Sequence, residues 1–144
     1  MEFISPNKIV IYSIELAIKS YRKFAQKNIQ RTVDDITLDQ ALLLILLQKD
    51  PSLNQMQLSK ILFKDYAATT RIIDLLVKNG YLSRTVHQKD GRRKALSISP
   101  KGTETIKTVK PIIANNRKTA LDGLSKEEIE TLDRLLKKIV SNCN

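Results

Sequence analysis

NQMQLSKILFKDYAATTRIIDLLVKNGYLSRTVHQKDGRRKALSISPKG, residues 54–102, sets two short helical patterns ahead of a hairpin with a basic loop. Asn54 is an N-cap residue with Gln57 placed to complete a capping box. Met56, Leu58, Ile61 and Leu62 supply the packing side of the helix they open. Lys64-Asp65 makes a turn, and Asp65 caps a second helix from Tyr66 to Asn79. That helix stops at Gly80, the residue type that adopts the left-handed position after a helix. Its packing stripe is Thr69, Ile72, Ile73, Leu76 and Val77, which turns Ala67, Ala68, Thr70, Arg71 and Asp74 at least partly outward. Tyr81–Val86 and Ala95–Ile98 alternate as strands do around the polar stretch from His87 to Lys94, so the two form a hairpin.

A helix pair followed by a basic β-loop is a geometry for reading duplex DNA. The second helix enters a major groove while the loop reaches the backbone or the neighbouring minor groove. On that helix Thr70 can meet a phosphate, a base edge or a thymine methyl, and Arg71 can pair with guanine or phosphate. Ala67 and Ala68 are small enough for close approach and offer apolar contact to thymine methyls. Arg84 stands on the first strand. Arg92, Arg93 and Lys94 sit where a wing touches DNA, arginine being the residue that enters narrow A·T-rich minor grooves. Asp90 repels phosphate, so its expected task is to orient Arg92 through a charge-assisted bond.

A plain helical hairpin with a solvated loop would show the same local patterns, and the charge distribution weighs against it. The 144 residues carry a net charge of +10. Between Lys60 and Lys110 twelve basic residues face four acidic ones, a net +8, whereas the flanks on either side are each only +1. The excess coincides with the groove-reading pattern, which points to a nucleic-acid partner.

Length and composition suit one domain with a real core. The single cysteine, Cys143, has no disulfide partner, and with the lone His87 it offers no zinc set. No cofactor is expected. No phosphate-cradling glycine loop or nucleophile–base pair is present either, so an enzyme is not expected; Glu127-Glu128 fall at a helix start, where the dipole accounts for them. The longest apolar run, Ala41 to Leu47, is too short to cross a membrane. Glu15 interrupts the apolar Ile9–Ile18 stretch and no cleavage site follows, so a cytoplasmic protein is expected.

Outside the central stretch, Val10, Ile14, Ala17, Tyr21 and Phe24 recur at helical spacing between about Pro6 and Ile29. Thr37 and Gln40 form a capping box for a helix through Gln48 that is apolar nearly all round and therefore central. Ser99-Pro100 opens a further helix with Ile106, Val109 and Ile113 on one side. Ser125 and Glu128 form a third capping box, ahead of Ile129, Leu132, Leu136 and Ile139 at core spacing. The stripes of the first and the last two helices exceed what a lone small unit can cover, and pairing across a two-fold axis would bury them.

With these residues in place, the chain resembles the MarR family of winged-helix transcriptional regulators over nearly its whole length. Leu58–Leu62 looks like that family's first motif helix, and Thr70–Arg84 is similar to its recognition helix and first wing strand. Asp90-Gly91-Arg92, followed by Leu96-Ser97-Ile98-Ser99-Pro100-Lys101-Gly102, matches its wing pattern. Ala67 and Ala68 stand where the family often has hydroxyl residues, and Ser99 replaces the usual threonine.

The resemblance implies a mostly α fold with a small β-hairpin wing, a winged helix-turn-helix with long N- and C-terminal dimerisation helices. Residues 1–144 would form one domain, with the DNA-binding part at about 37–100 and the dimerisation helices at about 6–29 and 100–141. It implies a homodimer on a pseudo-palindromic operator in double-stranded DNA, with Thr70 and Arg71 in the major groove and Arg92 in the minor groove. It also implies a repressor released by a small, often aromatic, ligand. Tyr12, Tyr21, Phe63 and Tyr66 are aromatics that could line such a cleft, but aromatics are more often core, and no ligand residue is assigned. The competing expectation is a winged-helix module that docks proteins or plays an architectural part without operator specificity.

Overall fold

Local capping chemistry sets most of the helix starts. The computed structural model describes residues 1–86 and 94–144. After a short 3-10 turn at Pro6–Lys8 come α1 (Val10–Gln30), α2 (Leu38–Lys49), α3 (Gln55–Ile61) and α4 (Tyr66–Lys78). Strands β1 (Leu82–Val86) and β2 (Lys94–Ile98) follow, then α5 (Pro100–Ala120) and α6 (Lys126–Cys143). All three capping boxes form: Thr37 with Gln40, Asn54 with Gln57, and Ser125 with Glu128. At the last, the backbone and side-chain hydrogen bonds with Ser125 hold the Glu128 carboxyl below the ordinary glutamate range.

Helix α2 is the centre of the molecule. Leu38, Ala41, Leu43, Leu44 and Leu47 are buried on it, and it packs on α1, α4, α5 and β2. Each leucine so enclosed contributes roughly 1.5–3 kcal/mol of transfer free energy. Around it close Ile73 and Leu76 from α4, Ile106, Val109 and Ile113 from α5, and Ala25 and Ile29 from the end of α1.

Polar ties hold these layers in register. Asp39, at the start of α2, takes Arg22 of α1 at 2.5 Å and Lys64 of the α3–α4 turn at 3.2 Å. Asn28 Nδ2 donates to Asn116 Oδ1 at 2.8 Å, joining α1 to α5. The Tyr81 hydroxyl donates to Asp35 Oδ1 at 2.5 Å, and burial followed by this bond pushes the phenol well above its ordinary range.

The hairpin is fastened at its base. Gly80, at φ +82°, ends α4 in a Schellman arrangement, with Tyr81 N–H on Leu76 O at 2.8 Å and Gly80 N–H on Val77 O at 3.1 Å. The antiparallel register runs from Leu82 opposite Ile98 to Val86 opposite Lys94. Where the chain leaves β2, Ser99 Oγ donates to Gly80 O at 2.5 Å and accepts from Gly102 N at 3.0 Å. A Cβ on Gly102 would stand 2.4 Å from Tyr81 O, so only glycine lets α5 begin this close to the strand.

Several apolar positions expected to pack do not. Met56 and Ile61 are 61% and 45% exposed, because the seven-residue α3 fills its one inner face with Leu58, Ser59 and the following Leu62. In α1, Val10, Ala17 and Phe24 are exposed, Ile14 and Tyr21 are half-buried, and only Ala25 and Ile29 are enclosed. Helix α6 buries no residue, and Ile129, Leu132, Leu136 and Ile139 face at least partly outward. Their helical spacing is real, but among the described residues no other element packs extensively along it.

Candidate nucleic-acid interface

Helix α4 is built from underneath. Asp65 caps α4 by accepting from Ala68 N at 2.7 Å. Thr69, fully buried, meets Ser59 of α3 hydroxyl to hydroxyl at 2.7 Å, and the same pair bonds to the carbonyls of Asp65 and Gln55 at 2.9 and 2.8 Å. This buried polar pin, with Ile73 and Leu76 below it, fixes how α4 is rotated against α3. The turn between them passes through Phe63 at φ +56°, a left-handed conformation costing about 1–2 kcal/mol for a side-chain-bearing residue. Phe63 is 94% exposed.

With the inner face so determined, Tyr66, Ala67, Arg71, Asp74, Leu75 and Lys78 are exposed, and Ala68 and Thr70 are half-buried. Ala67 and Arg71 therefore share an outward face one turn apart. Thr70 is already engaged: its hydroxyl lies 3.0 Å from Tyr66 O and 2.6 Å from Gln55 Nε2. Arg84 of β1 forms an ion pair with Asp74 of α4. A bare carboxylate on this face would repel phosphate; Arg84 neutralises it while bracing the hairpin against the helix. Asp90, Arg92 and Arg93 lie outside the described residues, and Lys94 enters only as the backbone partner of Val86.

The family model described as MarR family matches residues 34–93, which take in α2, the helix pair and the first wing strand. Over that segment the chain is similar to the MarR family. Solved structures agree on the fold of the whole chain. The MepR–DNA complex of S. aureus is 22% identical, with 97% of this chain and 100% of that one covered at a TM-score of 0.82. A mutant MarR from E. coli in complex with operator DNA is 23% identical over 92% of this chain and 96% of that one, with a TM-score of 0.81. BpsR of Bordetella bronchiseptica, a protein whose DNA binding is regulated by 6-hydroxynicotinic acid, is 18% identical over 96% and 98%, with a TM-score of 0.85.

Within this fold the basic excess divides in two among the described residues. Lys64, Arg84, Lys101 and Lys107 stand in ion pairs with Asp39, Asp74, Asp35 and Glu104. Lys101 also lies 4.4 Å over the Tyr81 ring and donates to Asn79 O at 2.7 Å, so it serves the end of α4. Lys60, Arg71, Lys78 and Lys110 have no ion-pair partner among the described residues and are exposed. Gln55 and Tyr66 also belong to this face, beyond the residues expected there from sequence. Their signal was present, since Gln55 opens α3 just after its N-cap and Tyr66 opens α4 just after Asp65. Of the aromatics considered for a cleft or the core, Tyr12, Phe63 and Tyr66 are exposed and only Tyr21 packs against the core. Among the described residues no cluster of three potential metal ligands occurs, and no helix is long and apolar enough to cross a membrane.

Proposed function

We propose that this chain is a sequence-specific, DNA-binding transcriptional regulator, a repressor that occludes a promoter in the cytoplasm. The observation that carries the reading is the outward face of α4, where Tyr66, Ala67 and Arg71 project from a helix pinned by Ser59–Thr69. Ala67, Ala68, Thr70 and Arg71 would face base edges, and the wing residues Asp90, Arg92, Arg93 and Lys94 the backbone or minor groove. Arg84 would act at this surface through Asp74. MepR and MarR, both solved with DNA, support the assignment.

The unit that binds would be a homodimer on a two-fold pseudo-palindromic operator, with residues 37–100 reading DNA and the outer helices pairing. A compact monomer of 16.4 kDa exposes about 7,500 Å² by the usual scaling. This chain exposes 10833 Å². The bare apolar residues of α1 and α6 contribute to that excess. BpsR supports control by a small aromatic ligand. No catalytic role is proposed.

Selection from random duplex pools at two salt concentrations tests the reading. The expected result is a two-fold symmetric site with half-sites about one helical turn apart. Arg71→Ala should cost roughly 1–3 kcal/mol of affinity at one base position if Arg71 reads a base, and Arg92→Ala should weaken binding across sequences. Weak binding with a steep salt slope and no enriched site would refute operator recognition and leave an architectural role.

A further inference from the structure

Resting on the DNA-binding reading, the geometry points to Gln55 as a specificity-determining residue that recognises an exocyclic amine of a base, with Thr70 as its companion acceptor. Gln55 belongs to α3, yet its side-chain amide crosses to α4, with Nε2 2.6 Å from Thr70 Oγ1 and 3.2 Å from Tyr66 O. A backbone carbonyl can only accept, so the group facing Tyr66 O is the amide nitrogen and the orientation of the Gln55 amide follows. The same carbonyl lies 3.0 Å from Thr70 Oγ1 and takes the single hydroxyl proton of Thr70. Thr70 therefore accepts from Gln55, and both side chains have committed their donors within the protein.

What the pair can present outward is acceptors alone. Gln55 Oε1 has no partner among the described residues, and Thr70 keeps one lone pair and its methyl group. Both side chains are half-buried, and they border the exposed Tyr66, Ala67 and Arg71. An acceptor-only pair repels phosphate oxygens and the O6 and O4 edges of guanine and thymine. In a major groove its complements are the N6 amine of adenine and the N4 amine of cytosine. Arg71, a pure donor on the same face, selects the opposite edge, the O6 and N7 acceptors of guanine. The helix face thus carries adjoining acceptor and donor readers, one supplied by α3.

The test uses the full-length protein and the site it selects. Each half-site position is varied through four bases, and binding is measured for wild type, Gln55→Ala and Thr70→Val. One position per half-site should favour adenine or cytosine over guanine and thymine by about five- to tenfold. Gln55→Ala should flatten that position to within about twofold while leaving the salt slope unchanged. Thr70→Val frees the amide to donate, so guanine or thymine becomes acceptable at the same position. An amine-free base there, purine for adenine or 2-pyrimidinone for cytosine, should weaken wild type and leave Gln55→Ala indifferent. The base analogue probes the contact with the protein unaltered, so a folding defect in either variant leaves the inference testable. A selected site whose base preferences are the same in wild type and Gln55→Ala overturns the inference and spares the DNA-binding reading. A wild-type protein that selects no site overturns both.

Discussion

The winged-helix segment and the outer helices solve opposite problems with similar sequence patterns. Among the described residues between Thr37 and Gly102, most apolar positions meet partners within the chain, and helix starts and helix contacts are fixed by side-chain bonds. In the first half of α1 and along α6 the stripes are as regular, but Val10, Ile11, Tyr12, Leu16, Leu132, Leu135 and Val140 remain exposed. The difference teaches that helical periodicity reports a face that needs cover and says nothing about which chain supplies it.

The sharpest way to break the contrast is to weaken its well-packed side. Leu44→Ala empties a fully buried site on α2 and should lower unfolding free energy by about 2–5 kcal/mol in urea titrations. On the bare side, Leu132→Glu combined with Leu135→Glu should leave circular dichroism unchanged while sedimentation shows a dimer dissociating. If the double variant unfolds instead, α6 is packed within the monomer and the contrast fails. Gly102→Ala drives a methyl into Tyr81 O and should cost about 1–3 kcal/mol, read as a lowered melting temperature. Tyr81→Phe keeps the ring and removes the bond to Asp35, so its loss should be about 1 kcal/mol by the same measurement.

The legible part of the fold was the part written in short-range chemistry. Thr37 with Gln40, Asn54 with Gln57, Ser125 with Glu128, Asp65 and Gly80 each act within four residues, so a linear reading places them. The outward set on α4 was legible for the same reason, because Thr69, Ile73 and Leu76 define its opposite face. What escaped needed contacts between elements. The engagement of Arg84 with Asp74 joins a strand to a helix, and nothing in the spacing of a strand arginine announces it. Gln55 looks like an ordinary polar residue in a first helical turn until α4 is folded against it. Met56 and Ile61 stay exposed although their apolar character assigns them a buried face, because a seven-residue helix has only one inner face to fill.

Phe63, almost wholly solvated at the left-handed turn beside the reading helix, gives the molecule an optical address. The chain contains no tryptophan. A tryptophan substituted at this position would be its sole indole, set in water in the free protein and next to the helix proposed to engage a duplex. Its emission would follow docking at that turn directly, without background from any other site in the protein.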